Sequence, residues 1–209
     1  MIDPFAVLDQ PRRPWLDQEQ LKQKHHDFAR SEHPDLERPA DTSSGGGTNA
    51  PSTLAAVNEA YRILSSPRLR LQYLLTLEDA SGDVRHRTGS PWRESKSDAA
   101  GEMADLFMEA ATLVQDVDAV IAKRNNATSA LGKSLLQTET GSLGDRARRL
   151  FDKLNDRYQV AEEDLRRADE MWTSDRAKIV PELRRLIEHF AYLDRWIEQL
   201  REKQFQLAS

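Results

Sequence analysis

The stretch Arg30–Leu36, RSEHPDL, closes a segment of helical periodicity and is followed at once by a glycine–serine run. Because proline lacks a backbone N–H and restricts the residue before it, Pro34 is expected to end the helix. The residues after it include a run of glycines and no periodic apolar positions, which predicts a flexible loop over 36–53. A helix that ends here displays an imidazole and a carboxylate at its tip, those of His33 and Asp35.

Two amphipathic segments flank this loop. The first starts at Asp17, a good N-cap residue, and repeats apolar side chains at helical spacing as far as Phe28. The second starts after Ser52, is ended by Pro67, and carries the stripe Leu54, Val57, Tyr61 and Leu64. Since each apolar face has to be buried, the two segments predict a helical hairpin that the loop joins at one end.

A second low-complexity segment over 78–101 predicts a linker, and the chain beyond it is periodic at helical spacing. Three apolar stripes follow, and each is wide enough for a bundle rather than a two-stranded coiled coil. The stripes run from Met103 to Ile121, from Ala147 to Trp172 and from Ile179 to Leu200. We therefore predict an all-α chain, with a helical hairpin within 1–77 and an antiparallel three-helix bundle over 102–206.

Two features of the bundle region leave alternatives open. Pro181 lies close to the start of the third stripe, so it either occupies the first turn of a helix or bends one. Residues 125–144 fit a short helix or a loop equally well.

The composition excludes several classes of function. The chain of 209 residues carries a net charge of −5 and no cysteine, which argues against broad nucleic-acid binding and excludes disulfides and thiolate metal sites. No apolar run approaches the ~20 residues that span a bilayer, and no signal peptide is visible, so we expect a cytoplasmic protein without membrane contact. The sequence has no phosphate loop, metal-ligand cluster or nucleophile–base spacing. We therefore expect no enzyme activity, no catalytic residue, no metal and no cofactor.

Several short motifs occur in a fixed order along 2–77. The run DPFAVL at 3–8 fits a short first helix, 21–29 fits a second that leads to the His-Pro-Asp tripeptide, and NEAY at 58–61 fits a third. The exit from that third helix carries Pro67, Arg70 and Tyr73. This segment resembles a J domain, the module by which co-chaperones engage 70-kDa heat-shock chaperones.

Further short matches narrow the resemblance. The run RLQYLLTL at 70–77 is similar to the segment that follows the J domain in HscB-type co-chaperones of iron–sulfur cluster assembly. LFME at 106–109, YLDR at 192–195 and EQL at 198–200 resemble stretches of the three-helix bundle in that family. The resemblance therefore implies a J domain over 1–77 and a client-binding bundle over 102–206.

The resemblance implies a protein that activates the ATPase of another protein. In J proteins the His-Pro-Asp tip docks where the chaperone's nucleotide-binding domain meets its linker, and docking promotes ATP hydrolysis. Carried over, His33, Pro34 and Asp35 are this trigger, with the Asp35 carboxylate accepting a partner arginine. The chaperone-binding face of the second helix then adds Lys22, His26 and Arg30. Asp27 stands where a cation is common in the family, so electrostatic steering is expected to be weaker than usual.

The resemblance also implies a second partner. In HscB-type proteins the bundle carries an apolar patch that meets the iron–sulfur cluster scaffold protein. The corresponding residues here are Phe107, Met108, Ala111 and Tyr192. Each of them could equally be part of the bundle core, although Phe107 and Met108 are adjacent, so that one of the two is expected to face outward.

Three functions are therefore open at this point. The chain is an HscB-like co-chaperone that delivers a client, a J-domain protein with a different client, or a helical interaction protein whose hairpin does not stimulate a chaperone.

Overall fold

The computed structural model describes residues 3–31, 53–81 and 103–208, and in these ranges it contains seven α-helices and no β-strand. The all-α prediction is therefore confirmed. The helices are α1 (Pro4–Val7), α2 (Gln18–Ser31), α3 (Thr53–Ser65), α4 (Pro67–Ser81), α5 (Ala104–Asn126), α6 (Ala130–Met171) and α7 (Arg176–Ala208). In the described ranges, no helix has an apolar stretch long enough to cross a bilayer. The His33-Pro34-Asp35 tripeptide, the Ser52 cap and most of the two predicted loop segments lie outside the described residues.

The described residues cluster into two compact units. The first unit combines residues of the range 1–86 with Leu165–Leu183, and the second combines residues of the range 87–164 with Arg184–Ser209. The stripe pattern assigned 165–183 to the bundle, whereas the structure groups this segment with the N-terminal helices. Helix α4 also continues to Ser81, four residues into the segment that was predicted to be a linker.

The boundaries of the hairpin helices follow from their terminal residues. The Asp17 carboxylate accepts hydrogen bonds from the backbone N–H groups of Glu19 at 2.9 Å and Gln20 at 3.1 Å, so this side chain caps α2 as predicted. Helix α3 ends at Ser65 and α4 begins at Pro67, which has no N–H to contribute and is tolerated in a first turn.

Helix α3 forms the centre of the first unit, in contact with α1, α2 and α4. In the predicted stripe of α3, Val57 and Leu64 are buried and Tyr61 is half-buried, whereas Leu54 in the first turn is 42% exposed. The core of this unit contains Phe5, Leu8, Leu16, Leu21, Val57, Ala60, Leu64, Leu71 and Leu74.

Two buried charged side chains fix the segment that connects α1 to α2. Arg70, only 1% exposed, donates from Nε to the carbonyl oxygen of Pro14 at 2.7 Å and from Nη1 to that of Leu64 at 2.5 Å. Asp169, 4% exposed, accepts hydrogen bonds from Arg13 Nε at 3.0 Å and from the Trp15 backbone N–H at 3.1 Å. Since a buried charge is costly unless it is hydrogen-bonded, both contacts hold the connecting segment in a defined place.

Aromatic contacts reinforce this attachment. The indole Nε1 of Trp172, a fully buried residue, donates to the carbonyl oxygen of Arg12 at 3.3 Å. The Arg166 guanidinium lies 4.9 Å from the centroid of the Trp15 ring, which is a cation–π distance. Residues 165–183 thus contact the segment that connects α1 to α2 and help to fix its position.

The second unit is an antiparallel three-helix bundle, as predicted. Ion pairs between α5 and α6 recur at seven-residue steps that run in opposite directions along the two helices, which fixes them as antiparallel. These pairs are Glu109–Lys153 at 2.9 Å, Asp116–Arg146 at 2.9 Å and Lys123–Glu139 at 3.2 Å. Helix α7 packs antiparallel to α6, since Tyr158 contacts Phe190 at 5.1 Å whereas the earlier residue Phe151 contacts the later residue Arg201 at 5.9 Å. The buried side chains of this unit include Ala110, Leu113, Val117, Val120, Ala147, Leu150, Leu154, Leu186, Phe190, Leu193 and Leu200.

The structure settles both open points of the bundle region. Helix α7 begins at Arg176, so Pro181 lies in its interior and the first-turn alternative is wrong. A proline there removes the hydrogen bond that its N–H would give to the carbonyl four residues earlier. Residues 130–144 are helical although they include three glycines, which have low helix propensity, and only 127–129 separate α5 from α6. They form the first part of α6, in which the buried residues begin at Leu143.

Asp169→Ala is expected to lower the free energy of unfolding by about 2 kcal/mol, because it leaves the Trp15 N–H and the Arg13 guanidinium without their acceptor. Denaturant unfolding followed by circular dichroism measures this loss. The matched control is Glu170→Ala, at the exposed neighbouring residue, which should change the stability by less than about 0.5 kcal/mol. Equal effects of the two substitutions would contradict a role of Asp169 as an anchor.

Candidate functional site

The predicted chaperone-binding residues of α2 share one face. Lys22, His26 and Arg30 are all exposed and follow one another at intervals of four residues, so they lie in one row along the helix. The described part of α2 ends at Ser31, two residues before His33. The structure therefore brings together three of the six predicted residues, and the His33-Pro34-Asp35 tripeptide stays a prediction.

The opposite face of α2 packs on α3. Leu21 is fully buried, and the half-buried His25 stacks on the Tyr61 ring with centroids 4.3 Å apart and an interplanar angle of 25°. His25 Nε2 is also 2.9 Å from Asn58 Oδ1. This histidine thus fills a packing position. Among the described residues, no group of three or more His, Asp and Glu side chains could hold a metal ion.

An ion pair joins α2 to the end of α1. Lys24 Nζ donates to the Asp9 carboxylate at 2.7 Å and to the Asp9 carbonyl oxygen at 2.6 Å. Asp9 has a φ of 47°, a left-handed conformation that aspartate tolerates better than most residues. The hydrogen bond from Lys24 and the positive charge of Lys24 lower the pKa of the Asp9 carboxyl. Lys24 is therefore engaged within the domain, so the outward basic row does not extend to it.

Acidic side chains interrupt the basic character of α2. Glu19 and Asp27 are exposed on the same helix, and Gln23 Nε2 donates to Asp27 Oδ1 at 3.0 Å. The exposed surface of α2 thus consists of one row of two cationic side chains and a histidine, with the carboxylates of Glu19 and Asp27 nearby. Such a surface attracts a negatively charged partner more weakly than a uniformly basic helix does.

The predicted client-binding residues lie on the bundle and partly contact one another. The Phe107 and Tyr192 ring centroids are 5.4 Å apart, and Ala111, half-buried, lies one turn after Phe107. Met108 is 69% exposed and Tyr192 is 42% exposed. The prediction that one of the adjacent pair, Phe107 and Met108, faces outward is confirmed.

Trp196 is a member of this cluster that the sequence analysis missed. Its ring stacks near Phe107, with centroids 6.2 Å apart and planes inclined by 21°. The four tryptophans are scattered along the chain, but Trp196 follows Tyr192 by four residues, and this helical spacing was the available signal. We call Phe107, Met108, Tyr192 and Trp196 the aromatic patch.

Comparison with known proteins finds a curated relative for part of this chain. A stretch of 77 residues, 37% of this chain, is 34% identical to the "Co-chaperone protein HscB" of Proteus mirabilis. Over this stretch the chain is similar to that co-chaperone. The match covers 43% of the length of that relative. The predicted resemblance to HscB-type co-chaperones is thus confirmed.

Two further comparisons were made with the whole chain. No family model matches it. The solved structure "Chaperone HscB from Vibrio cholerae" aligns over 97% of this chain and 99% of that chain, at 16% identity and a TM-score of 0.45.

Lys24→Met is expected to raise the pKa of Asp9 toward its ordinary value of 3.8, because the hydrogen bond and the charge that lower it are removed. In the wild type, this interaction stabilises the fold above the unfolded-state pKa and is lost as the pH falls through the lower folded-state pKa. Carboxyl NMR titration measures the shift, and Lys22→Met should leave Asp9 unchanged. An unmoved Asp9 pKa in Lys24→Met would show that the contact is absent in solution.

Proposed function

We propose that this protein is a co-chaperone that stimulates the ATPase of a 70-kDa heat-shock-type chaperone. The trigger is His33-Pro34-Asp35, and the row Lys22, His26 and Arg30 contributes to docking. The observation that carries the proposal is the 34% identity to a protein named as an HscB co-chaperone, over 77 residues. The hairpin geometry supports it, since the row is exposed while the opposite face of α2 packs on α3.

The proposed mechanism is protein docking rather than chemistry within this chain. The positive row on α2 orients the encounter with an acidic surface of the chaperone, which affects mainly the association rate. The Asp35 carboxylate then accepts a planar, two-pronged hydrogen bond from a chaperone arginine. The chain itself is not an enzyme and uses no cofactor or metal, and it acts in the cytoplasm beside its chaperone.

The proposed client contact is the bundle surface formed by Phe107, Met108, Ala111 and Tyr192. By resemblance, the client is an iron–sulfur cluster scaffold protein. Met108 and Tyr192 are both exposed, and Tyr192 contacts Phe107, the neighbour of Met108 in sequence. This arrangement supports a role in binding, because clustered apolar side chains on a surface mark interaction sites more often than isolated ones do.

Single-turnover ATP hydrolysis by the cognate chaperone tests the proposal. Wild-type chain should accelerate hydrolysis, and His33→Gln should reduce the stimulated rate by about tenfold, as expected when a central docking residue is lost. Circular dichroism of the variant checks that the fold is retained. Absence of stimulation by the wild type would instead favour a helical interaction protein without a chaperone role.

The basic row is tested by Lys22→Ala and Arg30→Ala. Each variant should raise the concentration needed for half-maximal stimulation by about two- to fivefold, because an exposed ion pair contributes at most ~1 kcal/mol. The effect should shrink at high salt. The matched control is Lys178→Ala in the same unit, whose side chain is 83% exposed. If Lys178→Ala raised the concentration for half-maximal stimulation as much as the row variants do, only the net charge of the chain would matter.

A further inference from the structure

We infer that the aromatic patch extends to Arg195, and that this enlarged surface binds a partner segment in which apolar side chains adjoin a carboxylate. The inference rests on the proposed function, since it takes the patch to be the client-binding surface. It adds the chemical class of the segment that is bound and a residue that selects for it.

The apolar part of the surface is continuous. The Phe107 ring lies within 5.4 Å of the Tyr192 centroid and 6.2 Å of the Trp196 centroid, so the three rings form one cluster across α5 and α7. Met108 stands next to it in sequence and is 69% exposed. Aromatic side chains and methionine are enriched at interfaces, and the aromatic ones bury a large area at a low cost in rotamer entropy.

Arg195 adds a positive charge at the edge of this cluster. It follows Tyr192 by three residues on α7, and its guanidinium lies 5.8 Å from the centroid of the Trp196 ring. Stacking of this kind restrains the planar group while its N–H donors stay accessible at the exposed residue.

The charge of Arg195 is not compensated within the described part of the chain, where no carboxylate lies within 4.0 Å of it. Other cations of the bundle do have such a partner. Lys153 pairs with Glu109 at 2.9 Å, and Lys203 pairs with Asp118 at 2.5 Å. A carboxylate supplied by a partner can therefore take the hydrogen bonds that the guanidinium offers.

This arrangement favours an acidic partner segment and disfavours a basic one. A carboxylate beside the apolar contact gains a hydrogen-bonded ion pair with Arg195, whereas an ammonium group at the same place is repelled. The whole chain has a net charge of −5, so long-range electrostatics favour a basic peptide. A preference for an acidic peptide would therefore come from the local surface and not from the net charge.

The test uses the full-length chain and two capped peptides that differ only in charge, GLLEEGLLEEG and GLLKKGLLKKG. Binding is followed by NMR through the indole signal of Trp196, which is assigned with Trp196→Phe. The acidic peptide should bind about fivefold more tightly than the basic one, as expected for one exposed ion pair, and it should shift the Trp196 signal.

Arg195→Glu should abolish or reverse this preference. The matched control is Arg201→Glu, which makes the same charge change on the same helix, at an exposed arginine 5.9 Å from the Phe151 centroid. The control should keep the wild-type preference. The inference is overturned if the wild type binds both peptides equally or neither, or if the preference survives Arg195→Glu or is lost in Arg201→Glu.

The stimulated ATPase of the same wild-type preparation separates this inference from the proposed function. Stimulation without peptide selectivity refutes the role of Arg195 alone. Selectivity without stimulation refutes the chaperone role and leaves the enlarged surface in place.

Discussion

The orientation of α2 about its own axis is the constraint on which the proposed function depends. Leu21 is fully buried and His25 stacks on Tyr61 at 4.3 Å, so this face of the helix is committed to α3. Side chains at a helix surface are fixed relative to one another, since they are set by the 3.6-residue period. The row that begins at Lys22 therefore has to point away from α3. Any rotation that hid this row would expose Leu21 to water, at a cost of about 2 kcal/mol.

Two charged side chains that are distant in sequence bind the segment that leads into α2. Arg70 binds backbone carbonyl groups, and Asp169 binds Arg13 and the Trp15 N–H. Both are almost completely buried, so each contact is costly to break. The contacts of Asp169 join 165–183 to the first unit, although this segment is remote from the hairpin in sequence. The start of the candidate chaperone-binding helix is thereby fixed in part by Asp169, which lies outside the range 1–77 that was predicted to be a J domain.

Much of this fold could be read from local sequence signals. Each of these signals is visible within a short stretch of sequence, and the structure confirms them: the helix cap at Asp17, the helix end before Pro67 and the three long apolar stripes. The helix over 130–144 could not be predicted, because three glycines and mostly exposed side chains give this segment the same local signal as a loop. The ion pair between Asp169 and Arg13 could not be predicted, because a contact between two residues so distant in sequence produces no periodic pattern. The position of Trp196 in the aromatic patch was predictable, because it follows Tyr192 by four residues, a spacing that places both side chains on one face of a helix.

Site-specific photo-crosslinking to the chaperone tests the central claim, that the outward row of α2 is the docking face, most directly. The crosslinking amino acid benzoylphenylalanine is placed at the exposed position His26 and, in a separate variant, at the exposed position Arg62 on α3. The account predicts a nucleotide-dependent crosslink from position 26 and little from position 62. A crosslink from position 62 at equal yield, or none from position 26, would contradict it.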